Sequence, residues 1–281
     1  MGLTDRLCVN ASSLVRLFAD QREAVPEDAL SWCDKLASTP AVGVGFSPHY
    51  IPSNDLLNAL KSLLDKWNDG TKATFTLDSI SPFGFEVSTE DGFQYGADPT
   101  KLYIEFQHRL KLKTISGKPP TVEMLSRPRP YTELLPDVST RLIDAAVLIS
   151  STGQRSLTRV GIVSTTNVSE EEAPPGIRRF IRYVAQPWGK YAPHYHISVT
   201  SHLGSVPGWS DRCVHTIVKP DEPDALVTMK FDFQRQLNPT RKFNADSIRP
   251  LLKGAQEEAL KYFEDLAEGN LFDVQLLRKT V

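Results

Sequence analysis

The sequence predicts an α+β fold made of two pseudo-duplicated β-α-β-β-β-α halves, each with an antiparallel sheet, preceded by a short helical N-terminal segment. Two observations predict this fold. Apolar and polar residues alternate with period two in several runs, which is typical of strands with one buried face. Each set of strands is closed by an amphipathic helix, and the second half of the chain repeats the element order of the first. Antiparallel sheets with helices on one face define this class.

Three segments are expected: a helical N-terminal extension at 1–38, a first α+β half at 39–150 and a second α+β half at 151–281. The pair Thr39-Pro40 ends the first segment, because the residue before a proline disfavours helical backbone. Apolar residues such as Phe18 and Trp32 suit the helical extension for packing on the body of the protein or on a second copy of the chain.

The first half begins with the alternation of Val42, Val44 and Phe46 with small residues, which predicts a strand. Asp91-Gly92 is typical of a tight hairpin turn. The further expected elements are a helix at 53–70, strands near 75–77, 83–87 and 93–95, a long strand at 101–113 and a helix at 137–149.

The second half repeats this order. Its clearest strand alternates Met229, Phe231 and Phe233 with polar neighbours, and its last helix tolerates Pro250 because that residue lies in the first turn. The expected elements are a strand near 160–162, a helix at 175–186, strands at 193–203, 211–219 and 225–235, and a helix at 244–269.

Composition excludes several classes of protein. The 281 residues are 40% hydrophobic, which excludes a disordered chain, and 32 basic against 34 acidic residues leave a formal net charge of −2. A global basic field for nucleic acid or membrane is therefore excluded, and any such contact needs a local patch.

No apolar run is long enough to span a bilayer, and the N-terminus lacks the features of a secretion signal. Three scattered cysteines form no disulfide framework, so we expect a cytoplasmic protein with no membrane partner.

One face of the strand expected near 193–203 carries several polar side chains, because alternate residues of a strand point the same way. His194 and His196 are candidate metal ligands there, and His215 or Asp232 on a neighbouring strand could complete the shell. A single His-x-His without a spaced third ligand is more typical of a solvent-facing strand. We therefore expect neither a metal nor a cofactor, and a metal-assisted hydrolase or nuclease using this pair is the alternative.

Two clusters of basic residues are candidate ligand-binding sites. Guanidinium and ammonium groups attract phosphates, and a guanidinium can bind one through two hydrogen bonds. Tyr103 and Tyr183 lie near the clusters and could stack on bases. The candidates are Arg109, Lys111 and Lys113 on the long strand, and Arg178, Arg179 and Arg182 on the helix at 175–186.

The sequence contains none of the short motifs of nucleotide-binding loops, dinucleotide-binding turns, serine hydrolases, zinc proteases or kinases. Asp221, Glu222 and Asp224 lie beside prolines and read as a polar loop, which does not suit a general acid–base pair. A Ser/His/Asp triad depends on geometry, so the six histidines leave that alternative open.

The run from Ala41 to Phe46, the aromatic strands ending at Gln107 and the strand at 159–162 resemble an uncharacterised, sporadically distributed family of bacterial α+β proteins of about 250 residues. The late strand at 227–232 and its closing helix resemble that family too. The chain differs from it in having Thr165-Thr166-Asn167 where the family has Arg-Tyr-x-Asn. A patchy distribution implies mobile genetic elements, and hence a role in anti-phage defence or a toxin–antitoxin system.

These observations favour a non-enzymatic binding or accessory protein that recognises a partner protein or a phosphate-bearing ligand. Sequence-independent binding of nucleic acid is a further alternative, and the N-terminal helices suit either packing on the body or a homo-oligomer.

Overall fold

The computed structural model describes residues 30–47, 58, 61, 75–81, 84–98, 100–108, 110–113, 121–124, 129–150, 155–185, 194–222 and 225–271. The helix expected at 53–70 lies outside these residues, apart from Asn58 and Lys61, which are helical. Most of the expected N-terminal extension lies outside them as well.

Nine strands form one sheet in which all neighbours are antiparallel, with β1 at the middle and β2 and β9 at the two edges. The order across the sheet is β2-β3-β4-β5-β1-β8-β11-β10-β9, and β6 and β7 pair separately. The strands are β1 (Thr39–Ser47), β2 (Phe75–Ser81), β3 (Gly84–Thr89), β4 (Phe93–Asp98), β5 (Lys101–Phe106), β6 (Leu110–Lys113), β7 (Thr121–Met124), β8 (Ser156–Val168), β9 (Tyr195–Val206), β10 (Gly208–Lys219) and β11 (Val227–Lys242).

The helices of the described residues are α1 (Trp32–Lys35), α2 (Tyr131–Ser150), α3 (Pro175–Ala185) and α4 (Ala245–Glu268). Helix α2 packs on β1 and β5, α4 packs on β8 and β11, and α3 packs on α4. No helix in the described part of the chain is long and apolar enough to cross a membrane. This antiparallel sheet with its helices confirms the predicted α+β class.

The two expected sheets are joined into one, which corrects the prediction of a separate sheet in each half. Strand β1 pairs with β8 from Thr39 opposite Thr165 to Ser47 opposite Ser156. Both strands begin their half of the chain, and their apolar residues face the same helical layer. Joining them removes two exposed sheet edges, which is the physical advantage of a continuous sheet.

The core lies between the sheet and the helices. On β1, Val42, Val44 and Phe46 are buried on the helix side, whereas Ala41 and Gly43 face the other way. The same alternation holds on the other central strands, since side chains of a strand point to opposite faces in turn. Among the described residues, helices therefore cover one face of the sheet, which is apolar, and no helix covers the other, which we call the open face.

Several observed elements differ from the predicted ones: β7 was not predicted, and β11 ends at Lys242, seven residues beyond the expected end. The strand expected at 101–113 is broken, because β5 ends at Phe106 and the residues 110–113 pair with β7 outside the main sheet. Helix α2 begins at Tyr131, six residues before the expected start, and Pro136 lies inside it.

Helix α1 connects the two long helices. The backbone N–H of Trp32 donates to Oε1 of Glu264 on α4 at 2.7 Å. The carboxylate of Asp34 accepts from the backbone N–H of Thr132 on α2 at 3.2 Å. Each carboxylate accepts from a backbone N–H in the first turn of another helix, and such an N–H has no acceptor within its own helix. The described end of the N-terminal segment thus packs on the body of the protein.

A candidate ligand-binding groove on the open sheet face

Glycines form the floor of a depression at the centre of the open face. Gly43 on β1 lies opposite Gly161 on β8, and on its other side it lies opposite Tyr103 on β5. A Cβ built on Gly161 would have its nearest neighbour, the carbonyl oxygen of Phe233, at 3.6 Å, which is ordinary contact. Glycine inside a strand often marks a place where another group approaches the backbone closely. The bare backbone here leaves room above the sheet.

Two further glycines allow long side chains to lie flat beside this floor. The Arg159 side chain crosses Gly45, where a Cβ would meet Arg159 Cγ at 2.6 Å. The Tyr103 ring covers Gly96, where a Cβ would meet Cζ of the ring at 2.1 Å. Neither arrangement tolerates a larger residue without a shift of the covering side chain. The glycines therefore position an arginine and a tyrosine at the rim of the depression.

Tyr103 is held in place by its hydroxyl and its ring. The hydroxyl donates to Oε1 of Glu86 at 2.7 Å, and Nζ of Lys101 lies 4.9 Å from the ring centroid. Burial, together with the hydrogen bond to Glu86, raises the pKa of the Tyr103 phenol. The phenol is thus neutral, and its ring is a fixed wall.

The opposite wall comes from strand β11. Gln234 lies opposite Gly161, and its amide donates to Oδ2 of Asp232 at 2.8 Å. The Gln234 carbonyl accepts from Nε and Nη2 of Arg212, at 3.1 and 2.7 Å. The Gln234 amide therefore has hydrogen-bond partners within the protein for both its nitrogen and its oxygen.

Together these walls enclose a cavity of about 490 Å³, which we call the central groove. Its size lies within the range of about 300–1,000 Å³ typical of small-molecule sites. The lining residues are Ala41, Val42, Gly43, Val44, Lys101, Tyr103, Glu105, Arg159, Gly161, Val163, Thr165, Lys230, Asp232 and Gln234.

A second cavity of about 560 Å³ shares Arg159 with the central groove. Its other lining residues are mainly hydroxyl and amide side chains, which can donate hydrogen bonds to an anion. They are Thr100, Thr158, Gln236, Leu237 and Thr240. Arg159 therefore lies at the junction of the two cavities.

The central groove has three cationic side chains, Lys101, Arg159 and Lys230, and two anionic ones, Glu105 and Asp232. Lys101 has a partner, since its Nζ lies 3.5 Å from Asp98. Within the described residues, no carboxylate lies at ion-pair distance from Arg159 or Lys230. With Asp98 counted, three cations are matched by three carboxylates, so attraction for an anion would come from the local position of Arg159 and Lys230 and not from net charge.

The predicted basic clusters lie elsewhere. Lys111 and Lys113 are on β6, outside the main sheet, and Arg109 lies outside the described residues. Arg178 and Arg182 are exposed on α3, and Nη2 of Arg179 contacts the backbone oxygen of Glu268 at the end of α4. Arg179 therefore satisfies a helix C-terminus.

The predicted histidine pair is exposed at the start of β9. His194 Nδ1 lies 3.4 Å from Asp221, and both side chains are more than half exposed. His215 pairs with Val199 and therefore points to the other face of the sheet from His196. Asp232 is two strands away from β9, in the central groove. Among the described residues, no group of three or more His, Cys, Asp or Glu side chains is placed to hold a metal ion.

His215 belongs to a buried polar cluster on the helix side. Its Nε2 lies 3.1 Å from the Ser201 hydroxyl and 2.8 Å from the Tyr262 hydroxyl. Burial lowers the pKa of His215 to about 4. Its Nδ1 is buried without a hydrogen-bond partner in the described structure, so the carboxylate that would complete a catalytic triad is missing from that position.

The sequence favours a groove between the two halves, but sequence reasoning missed the residues of the central groove because they come from four strands that are far apart in the chain. A signal was present in the glycines that alternate with Val42 and Val44, and in Gly161 within its strand. These glycines indicate a bare strip of sheet, but only the pairing of β1 with β8 brings them side by side.

No protein-family model, curated protein or solved structure matches this chain. The geometry and charge of the central groove are thus the basis for assigning a function.

Proposed function

We propose that the protein is a non-enzymatic binding protein that holds a phosphate-bearing ligand against the open face of its sheet. The observation that carries the proposal is the placement of Arg159. Its side chain lies between the central groove and the neighbouring polar pocket, and no carboxylate among the described residues neutralises it. A guanidinium held in a cavity without a counterion is suited to a bidentate contact with phosphate.

The two cavities suit two parts of one ligand. Thr158 and Gln236 beside Arg159 can donate to phosphate oxygens, whereas the Thr100 hydroxyl already donates to Asp98 at 2.7 Å. The central groove offers a glycine floor and the Tyr103 ring, which suit a flat, less polar group such as a base. A phosphorylated small molecule with a planar moiety would use both cavities, with Arg159 at the junction.

The proposal includes the pseudo-duplication of the two halves. In support of it, the first strand of each half pairs with the last strand that the same half contributes to the main sheet: β1 with β5, and β8 with β11. The two first strands also pair with each other at the centre of the sheet. On this reading, the central groove lies where the two halves join, which is a common place for ligand sites.

Binding is favoured over catalysis because His215 and Cys33, whose pKa values burial shifts, lie on the helix side of the sheet and not in the central groove. His215 is paired with hydroxyls there, and burial raises the pKa of the Cys33 thiol to about 12, so that the thiol is protonated. The resemblance to a sporadic bacterial family extends the proposal to an accessory role in anti-phage defence or a toxin–antitoxin system, in which the ligand acts as a signal.

Isothermal titration calorimetry with pyrophosphate and with ATP tests the proposal. Arg159→Gln should weaken binding of either probe by about tenfold or more, because a charge-assisted hydrogen bond contributes about 1.5–3 kcal/mol. Arg182→Gln, an exposed arginine on α3, is the matched control and should bind as the unaltered chain does.

Three outcomes would count against the proposal. Loss of binding in Arg182→Gln but not in Arg159→Gln would place the site on α3. Equal affinity of both variants and the unaltered chain would remove the arginine contact. Failure of the unaltered chain to bind either probe would exclude this ligand class.

A further inference from the structure

The two edges of the nine-stranded sheet differ in the features that normally prevent strands from pairing with another chain. Strand β2 is seven residues long, has the charged Asp78 at its centre, and has a register shift between Leu77 and Ser79. Charges, short length and bulges are the usual protections of an exposed edge. Edge β2 therefore has the protections expected of a monomer surface.

Strand β9 has none of these protections over its first eight residues. It is 12 residues long and contains no proline and no Asp, Glu, Lys or Arg. Its pairing with β10 is regular from Tyr195 to His202, and the register shift comes only beyond His202. Among the described residues, no strand pairs with the outer side of β9.

Apolar surface accompanies this open edge. Val199 is 40% exposed on the helix-facing side, next to the half-buried Ile197. The backbone N–H and C=O groups on the outer side of an edge strand also lack partners within the sheet. An added strand would satisfy those groups and cover Val199.

We propose that β9 pairs antiparallel with β9 of a second copy of this chain, so that the sheet continues across a two-fold axis. A second copy fits because a strand without charged side chains can pair with itself without placing like charges opposite each other. The two-fold axis is perpendicular to the sheet, and the helices of both copies lie on the same side.

The symmetry restricts the register. Residues that lie opposite each other across such an axis point to the same face of the sheet. One residue of β9 must therefore lie opposite the same residue of the second copy. Centring on Ser198 places Ile197 opposite Val199 of the second copy, and this apolar contact occurs twice. Centring on Val199 would instead place His196 opposite His202 of the second copy. The Ser198 register pairs Ile197 with Val199 twice and places His196 opposite Thr200 of the second copy.

Analytical ultracentrifugation over a range of concentrations tests the dimer. The unaltered chain should be a dimer that dissociates on dilution. Ser198→Lys should raise the dissociation constant severalfold, since two like charges then lie directly opposite each other. Thr76→Lys makes the same change at an exposed residue of the other edge and should not alter the dissociation constant.

A monomeric unaltered chain at every concentration would overturn the proposal. A dimer weakened by Thr76→Lys and not by Ser198→Lys would also overturn it, because β2 would then be the interface.

Cysteine crosslinking tests the register in the folded dimer. Directly opposite residues of antiparallel strands have Cα atoms about 4.5–5.5 Å apart, which suits a disulfide. Ser198→Cys should form a covalent dimer on mild oxidation. Thr200→Cys, two residues along on the same face, should not, because in this register Thr200 lies opposite His196. Crosslinking of Thr200→Cys in preference to Ser198→Cys would overturn the register.

This inference is independent of the proposed ligand. The two sites lie at the edge and the centre of the sheet, so loss of dimerisation and loss of phosphate binding would be observed in different variants.

Discussion

The guanidinium of Arg235 and the carboxylate of Asp211 lie directly opposite each other on β11 and β10 and form a bidentate ion pair under helix α4. Nε donates to Oδ1 at 2.9 Å and Nη2 donates to Oδ2 at 2.7 Å. The two side chains are only 6% and 14% exposed, and the guanidinium lies 4.7 Å from the Trp209 ring. Gly254 of α4 allows the helix to approach, since a Cβ there would lie 3.2 Å from Nη1 of Arg235.

Breaking this pair should destabilise the protein strongly. Asp211→Asn leaves a buried guanidinium without its counterion, for which a loss of about 3–5 kcal/mol in the free energy of unfolding is typical. Urea denaturation measures it, with Asp221→Asn, at an exposed acid, as the control. Similar unfolding free energies for the two variants would show that the buried charge is solvated and contradict the assigned burial.

Stability should fall with decreasing pH in a window set by His215. Burial lowers its pKa from 6.5 to about 4 in the folded protein. Above pH 6.5 both states are neutral and the contribution is complete. As the pH falls from 6.5 to 4, the unfolded chain binds a proton at His215 that the folded chain does not bind. The free energy of unfolding therefore decreases, by about 3 kcal/mol over the whole window.

His215→Gln tests this, because an amide can still accept from Tyr262 but does not titrate. Urea unfolding at pH 7 and pH 4.5 should show a smaller decrease for His215→Gln than for the unaltered chain. His108, whose pKa burial also lowers to about 4, accounts for part of the remaining decrease. His202→Gln, at an exposed residue of the neighbouring strand, is the matched control. An equal decrease in His215→Gln and the unaltered chain would contradict the prediction.

Asp34 should stabilise the N-terminus of α2 from outside that helix. Its carboxylate accepts from the backbone N–H of Thr132 at 3.2 Å, and from the hydroxyls of Thr132 and Ser31 at 3.1 and 2.8 Å. Asp34→Ala should lower the free energy of unfolding by about 1–2 kcal/mol, the usual range for removing a cap. Thermal and urea denaturation measure it, and Glu257→Ala, exposed within α4, is the control.

Equal free energies of unfolding for Asp34→Ala and Glu257→Ala would show that the Asp34 cap contributes nothing and that α1 does not support α2.

Filling the floor of the central groove should remove ligand binding without unfolding the protein. Gly161 has no positive φ, and a Cβ there meets only ordinary contacts, so Gly161→Val fits the strand and projects its methyl groups into the groove. Calorimetry with ATP should show lost binding, while the unfolding free energy stays within about 1 kcal/mol of the unaltered chain. Thr216→Val, on the same face outside the groove, is the control. Unaltered ATP affinity in Gly161→Val would place the ligand elsewhere.

The local elements were accessible from the sequence because each depends on neighbouring residues. The alternation at Val42, Val44 and Phe46 predicted β1, and the apolar spacing from Ile248 to Leu266 predicted α4. The Asn244 cap and the left-handed Gly269 bound that helix within two residues of expectation. The break after Phe106 was not predicted, because the apolar alternation continues through Leu110 and Leu112 whether or not the strand stays in one sheet.

What the sequence alone determined about this protein is its α+β class, the order of the nine main-sheet strands and of the described long helices along the chain, and the face that the central strands bury. These depend on period and on local backbone preference. The tertiary structure decided that β1 pairs with β8, that Gly43 meets Gly161, and that Arg159 lies uncovered between two cavities. Such pairings depend on contacts between residues more than 100 positions apart in the chain, which no local pattern encodes.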